Sequence, residues 1–271
     1  MKLPLTYLFV PGNRPERFDK ALAAGAGAII LDLEDAVAPA DKAQARAHIA
    51  AWAAAHRDAL PGVLVRINDA ASEWFEGDLA LFHGTGLALA MLPKAETPDQ
   101  IAATCAALPA DGAVVALIET ARGVQNVAAI AAAPGVQRLA FGTLDYGVDL
   151  DLADDERGLE YPSAQIAIAS RAAGIGSPIA GVTPSIDDEP RLLADLAFAR
   201  AYGFGAKLCI HPKQVAALHA AMRPTDAQID WAKRVIAAAA SSQGAAQVDG
   251  KMVDKPVLLR AQAILGRAGE T

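Results

Sequence analysis

The chain has 271 residues, 53% of them hydrophobic and 20% charged, and 24 Lys and Arg against 31 Asp and Glu give a formal charge of −7. That length buries a sizeable core in one large domain or two small ones. The acidic balance argues against a nucleic-acid or anionic-membrane binder, either of which needs a basic face, and no apolar run reaches the ~18 residues that span a bilayer.

In chain order, short apolar or β-branched runs alternate with Ala-rich stretches of helical length. The predicted strands are Leu5–Pro11, Ala28–Leu33, Val63–Ile67, Leu87–Leu92, Ala113–Ile118, Gln137–Phe141, Ile179–Val182 and Ala206–Ile210. Between them the predicted helices include Pro15–Ala24, Lys42–Arg57, Pro98–Leu108, Val124–Ala133, Ser163–Ala173 and Glu189–Tyr202. Continuously apolar strands alternating with helices mean parallel strands buried on both faces. Eight such units in about 210 residues match the scale of a TIM (β/α)₈ barrel, with a doubly wound open sheet as the alternative. After the eighth strand the rhythm changes. A helix is expected over Gln228–Ala240, a break at Ser241–Gly244, a tight Asp-Gly hairpin turn at Val248–Met252, and a last helix over Pro256–Arg267 ending at Gly269. The expected organisation is a barrel over residues 1–223 and a C-terminal helical and hairpin extension over 224–271, covering the barrel mouth or a subunit interface.

The N-terminus begins like an export signal, but Arg14, Glu16, Arg17, Asp19 and Lys20 follow before any small-residue cleavage pattern. Two cysteines, Cys105 and Cys209, and five scattered histidines give neither a disulfide framework nor zinc spacing. A cytoplasmic protein is expected.

In a barrel of this kind chemistry gathers where strands end. The strand exits here carry Asn13 and Arg14, Asp32-Leu33-Glu34-Asp35, Arg66 and Asn68, Lys94, Glu119, Asp145, Thr183 and His211. Charges at nearly every exit point to one shared polar pocket, with Arg66 and Glu119 at its mouth. Glu119 and Asp145 follow consecutive strands, and neighbouring carboxylates repel unless a cation joins them or one holds a proton. Mg²⁺ suits such a pair, because it takes one or two carboxylates and completes its sphere with waters and ligand oxygens. The plainer alternatives are a favourable charge at the next helix N-terminus for Glu119 and an Asx turn for Asp145. Lys94 and Lys207 are candidates for a Schiff-base aldolase instead. Three further features carry little. Gly25-x-Gly27 precedes a strand rather than following one. The acidic run Asp149, Asp151, Asp154 and Asp155 lacks the glycine and distant glutamate of a calcium loop. His211, before Pro212, reads as a structural histidine.

Phe9-Val-Pro-Gly, Leu31-Asp-Leu-Glu-Asp-Ala-Val, Val65-Arg-Ile-Asn, Leu92-Pro-Lys, Ile118-Glu-Thr, Phe141-Gly-Thr-Leu-Asp, Ile210-His-Pro and Gly250-Lys-Met-Val-Asp-Lys-Pro, in this order, resemble the citrate lyase β-subunit-like family within the HpcH/HpaI aldolase group. The resemblance implies a Mg²⁺-dependent TIM barrel, with Mn²⁺ as an alternative. It implies a homo-oligomer, often a trimer, that acts on 3-hydroxy-acyl-CoA thioesters and 2-oxo acids. Glu119 and Asp145 match the family's metal ligands, and Arg66 its substrate-binding arginine, with Glu119 bordering the ligand. Asp254 resembles an aspartate that some relatives supply from a neighbouring subunit as an acid or base, and it also suits the N-cap of the last helix. Asp35, placed against substrate, stands where related aldolases carry a catalytic histidine.

The function expected is a carbon–carbon lyase that cleaves or forms a 3-hydroxy-acyl-CoA thioester. Condensation of the malate synthase type, thioester hydrolysis at the same metal site, and a non-catalytic binding subunit are the alternatives.

Overall fold

The computed structural model describes residues 3–153, 156–241 and 246–269. The chain forms two compact units, Met1–Leu218 and His219–Thr271.

The first unit is built on eight parallel strands. They are β1 (Thr6–Pro11), β2 (Ala28–Asp32), β3 (Val63–Arg66), β4 (Leu89–Leu92), β5 (Ala113–Ile118), β6 (Val136–Phe141), β7 (Gly176–Ala180) and β8 (Ala206–Cys209). Each pairs with the next and β8 pairs with β1, so the sheet closes into a barrel. This is the TIM architecture expected from the strand count, and closure excludes the open doubly wound sheet. The barrel is filled by alternate residues of its strands, among them Tyr7, Ile30, Leu64, Met91, Val115, Leu117, Ala140, Ile179 and Leu208. Period-two alternation therefore decides which strand-end residues enter the mouth. Two steps beyond Ile30, Leu64 and Leu117 come Asp32, Arg66 and Glu119.

The helices follow the sequence with local differences. The predicted helix Val124–Ala133 forms as two short helices, Ala121–Gln125 and Val127–Ala131, broken at Asn126, whose side-chain amide donates to Glu96 O at 2.8 Å. Asp145 lies in the first turn of a helix, Thr143–Asp149, rather than in an Asx turn, because Gly142 O accepts the Tyr146 amide and starts the helical ladder there. Asp149 ends that helix, stays exposed, and accepts a hydrogen bond from the Ala121 amide at 2.8 Å, which ties it to the loop after β5. Asp154 and Asp155 lie outside the described residues.

The second unit pairs helices Asp226–Ser241 and Lys255–Ala268 around Ala232, Val235, Ala261 and Ile264. Its hairpin, β9 (Ala246–Val248) and β10 (Lys251–Val253), turns on Asp249 and Gly250. Both have positive φ, 52° and 73°, as a two-residue type I′ turn requires. The Asp249 carboxylate is gripped by Arg234. Asp254 is the N-cap of the last helix, its side chain accepting from the Val257 amide at 3.0 Å, and Gly269 ends that helix in the left-handed conformation. The predicted break falls largely at 242–244, outside the described residues. Both cysteines are free thiols, Cys209 buried. Among the described residues no helix is long and apolar enough to cross a membrane.

Candidate active site

The register of β2 on β3 places Asp32 directly beside Arg66, both pointing into the mouth. The pair is a two-pronged fork. Nε donates to Asp32 Oδ1 at 2.8 Å and Nη2 to Oδ2 at 2.7 Å. Asp32 also accepts the amides of Glu34 and Ala36, so the loop after β2 folds around its carboxylate. The guanidinium lies over the Phe9 ring, 4.8 Å from its centroid. Arg66 Nη1 approaches Glu34 Oε2 at 2.8 Å and the exposed Asp35 Oδ2 at 3.5 Å. Burial alone would ease a proton off Arg66, but Asp32, Glu34 and Asp35 together hold it more firmly charged than usual.

A buried layer behind this loop fixes it. Lys42 Nζ donates to Leu33 O at 2.8 Å and Glu34 O at 2.9 Å. Asn68 donates to Leu33 O and to Asp78, which Arg46 pairs at 2.8 Å. Sequence reasoning placed Asp32, Glu34 and Asn68 at strand exits without a role and missed Lys42 and Asp78. The one signal for Asp32 was its alternation with Ile30.

Glu119 follows β5 and is 3% exposed. Its Oε1 accepts the Lys94 amide at 2.8 Å. Lys94 has φ of 45°, a conformation that costs a non-glycine residue of order 1 kcal/mol or more. Against Oε2 stands Gly142, which pairs opposite at the end of β6. A Cβ there would collide with the Glu119 carboxylate and come within 2.6 Å of its Cβ. Burial pushes the Glu119 carboxyl up to about 8, with the charges of Glu34 and Asp145 adding to the effect against the Lys94 amide and Arg66. Asp145, exposed, stands close enough for its charge to be felt at Glu119. Neither carboxylate has an ion-pair partner among the described residues. The Lys94 ammonium is lowered by burial but carried above its usual range by Glu34, Glu119, Asp69 and Asp145.

This donor set fits a hard divalent cation. Two carboxylates repel each other across adjoining strand exits, one of them buried and uncompensated, in a mouth that is acidic around them. It does not fit a zinc-type site, since no group of three or more His, Cys, Asp and Glu is arranged for a metal among the described residues. His211 is a turn residue, its Nδ1 accepting from the Lys213 amide at 3.2 Å. Asp254 belongs to the second unit, where its carboxylate caps a helix.

Lys207 lies elsewhere. Its neighbours Ala206 and Leu208 fill the barrel, so its side chain turns outward to donate to Gly181 O at 2.7 Å. Burial lowers its ammonium to about 8, against the pull of Asp195. It lines a cavity of about 710 Å³ on the flank of β6–β8, with Phe141, Asp195 and Phe198 among the walls. That cavity contains neither Arg66 nor Glu119.

A family model, HpcH/HpaI aldolase/citrate lyase, matches residues 5–212. The chain belongs to this family. Members similar to it include a citrate lyase subunit beta-like protein of Mycobacterium tuberculosis, 38% identical over 97% of this chain and 95% of the relative. A (3S)-malyl-CoA thioesterase of Cereibacter sphaeroides is 33% identical over 96% of this chain and 93% of its own. Among solved structures, CitE of M. tuberculosis in complex with magnesium, acetoacetate and coenzyme A superposes with a TM-score of 0.86, at 37% identity, over 98% of each chain. The matched span of the family model runs through all eight strands of the barrel.

Proposed function

We propose that this protein is a carbon–carbon lyase that, with Mg²⁺ or alternatively Mn²⁺, cleaves or forms a 3-hydroxy-acyl-CoA thioester, yielding an acyl-CoA and a 2-oxo acid. The observation that carries this reading is the uncompensated pair Glu119 and Asp145 facing the fixed guanidinium of Arg66. The similarity to a CitE crystallised with magnesium, acetoacetate and coenzyme A supports it.

Glu119 and Asp145 would hold the metal. When bound, the metal supplies Lewis-acid polarisation of substrate oxygens. The chain's own residues do the rest. With one edge of its fork spent on Asp32, Arg66 offers the other to a carboxylate or to the developing enolate oxygen of the thioester. Asp32 and Phe9 keep that edge from rotating away, so little is lost in ordering it on binding. Asp35, beside Arg66 Nη1 and exposed, borders the approach of substrate. Gly142 leaves the wall thin where Glu119 needs room. Asp254 from a neighbouring copy is assigned the acid or base, in a homo-oligomer for which a trimer is favoured. The apolar side chains of Leu144, Val148 and Tyr161, 51%, 82% and 67% exposed, support association.

Thioester hydrolysis at the same site is the second reading, favoured by the 33% identity to a malyl-CoA thioesterase. One assay separates the two. A panel of 3-hydroxy-acyl-CoA esters is incubated with Mg²⁺ and with EDTA, and 2-oxo acid and free thiol are measured. Metal-dependent release of pyruvate or glyoxylate is the expected result. Free CoA without oxo acid makes the protein a thioesterase, and silence in both channels refutes both readings.

A further inference from the structure

Cleavage of a 3-hydroxy-acyl thioester begins with loss of the hydroxyl proton, so a proton acceptor must stand beside the substrate oxygens. Arg66 narrows the place. Its Nε–Nη2 edge is closed by Asp32, which leaves Nη1 and the second Nη2 hydrogen for substrate. Glu34 stands on that open edge, Oε2 lying 2.8 Å from Nη1. Yet Oε2 is buried and accepts no hydrogen bond from the described residues, because the geometry at Nη1 is that of an ion pair and not of a directed N–H bond. A buried carboxylate oxygen without a donor costs free energy in the resting protein and is relieved when a ligand donates to it.

The surroundings agree. The loop is held by Lys42 and Asn68 through backbone carbonyls, so those donors fix the chain around Glu34 without bonding its carboxylate. Asp32, Asp35, Arg66 and Lys94 are the charged groups that act on it, and it is the carboxylate whose charge is felt most strongly at Glu119. Glu34 therefore stands against the guanidinium and within electrostatic reach of Glu119. Burial pushes its carboxyl up to about 7, in the range suited to taking a proton at neutral pH.

The geometry points to Glu34 as the catalytic residue that accepts the substrate's hydroxyl proton. The inference rests on the lyase reading above. In the step, the O–H bond breaks and its proton passes to Glu34 Oε2. The oxygen's electron pair forms the carbonyl of the 2-oxo acid, and the C–C pair leaves on the thioester carbon as its enolate. That carbon then takes up one proton, the acid's part that is left to Asp254 of a neighbouring copy, so the overall reaction neither releases nor consumes one.

The test uses the full chain with Mg²⁺ and two readouts, cleavage of an ester that the wild-type protein cleaves and calorimetric binding of pyruvate. Glu34→Gln keeps the shape of the side chain and removes the base. We expect kcat to fall on the order of 100-fold or more, with pyruvate binding unchanged. Glu34→Asp, one methylene shorter and still charged, covers the case in which the glutamine variant does not fold, and slowed cleavage with intact pyruvate binding is expected of it. Wild-type kcat in either folded variant overturns the assignment. Loss of pyruvate binding in step with kcat also overturns it, since Glu34 would then only hold Arg66. A wild-type protein that cleaves no ester refutes the lyase reading and this inference together, whereas an active wild type with an equally active variant refutes this inference alone.

Discussion

Replacing Arg66 by methionine strands Asp32, whose residue is 1% exposed and cannot regain water in place. Two charge-assisted hydrogen bonds, at 2.8 and 2.7 Å, are lost. Removing one partner of such a buried pair costs about 3–5 kcal/mol, more than the pair itself contributes, because a charge is left unmatched. Asp35 adds nothing to that figure, its side chain being 66% exposed. Arg66→Lys keeps the charge but replaces a fork with a single ammonium and removes the flat face over Phe9, so a loss of about 2 kcal/mol is expected. Urea unfolding followed by circular dichroism, on both variants, on Asp32→Asn and on Arg66→Met/Asp32→Asn, closes a double-mutant cycle. The double variant should be more stable than Arg66→Met alone, since neutralising residue 32 removes the stranded charge. If Arg66→Met falls within about 0.5 kcal/mol of wild type, or if the two changes simply add, the fork does not hold the loop after β2 and the reasoning fails.

Glu119→Gln should abolish calorimetric Mg²⁺ binding and ester cleavage together, and retained turnover would remove Glu119 from the metal site. With the carboxyls of Glu119 and Glu34 pushed up to about 8 and about 7, the folded protein holds protons that the unfolded chain has released. Metal-free stability should therefore fall as pH rises from about 5 to about 8, by at most about 1.4 kcal/mol per unit for each group. Mg²⁺ should flatten that slope, and a metal-free protein with pH-independent stability over this window would contradict it. Gly142→Ala leaves an allowed backbone at φ −85° but drives a methyl into Glu119. It should weaken Mg²⁺ binding and cost about 1–3 kcal/mol of stability, both measured against wild type. Asp254→Ala should lose the cap and about 1 kcal/mol, whereas Asp254→Asn should keep it. Cleavage that drops in a fully stable Asp254→Asn protein assigns the charge to chemistry, and unchanged cleavage leaves Asp254 a cap alone.

Much of this molecule is fixed by its local sequence. All eight barrel strands fall within a few residues of where apolar runs bounded by Gly and Pro place them, since alternation and turn chemistry act over neighbouring residues. The Asp249-Gly250 hairpin and the Asp254 cap are likewise local, each satisfied by backbone groups within a few positions. The strand-exit positions of Arg66, Glu119 and Asp145 are legible for the same reason. What those residues touch is not. Closure of the sheet and the register of β2 on β3 depend on how successive βα units pack, and only that register sets Asp32 against Arg66 and converts an open fork into a half-occupied one. The pairing of β5 with β6 sets Gly142 against Glu119, and the left-handed turn at Lys94 aims its amide there. These partners lie 23 to 34 residues apart in sequence, as the Arg66–Asp32 and Lys94–Glu119 bonds show at 34 and 25 and the Gly142–Glu119 approach at 23. Side-chain period places a charge at the mouth, but only the packed barrel decides which other charge it meets and how much water is left between them.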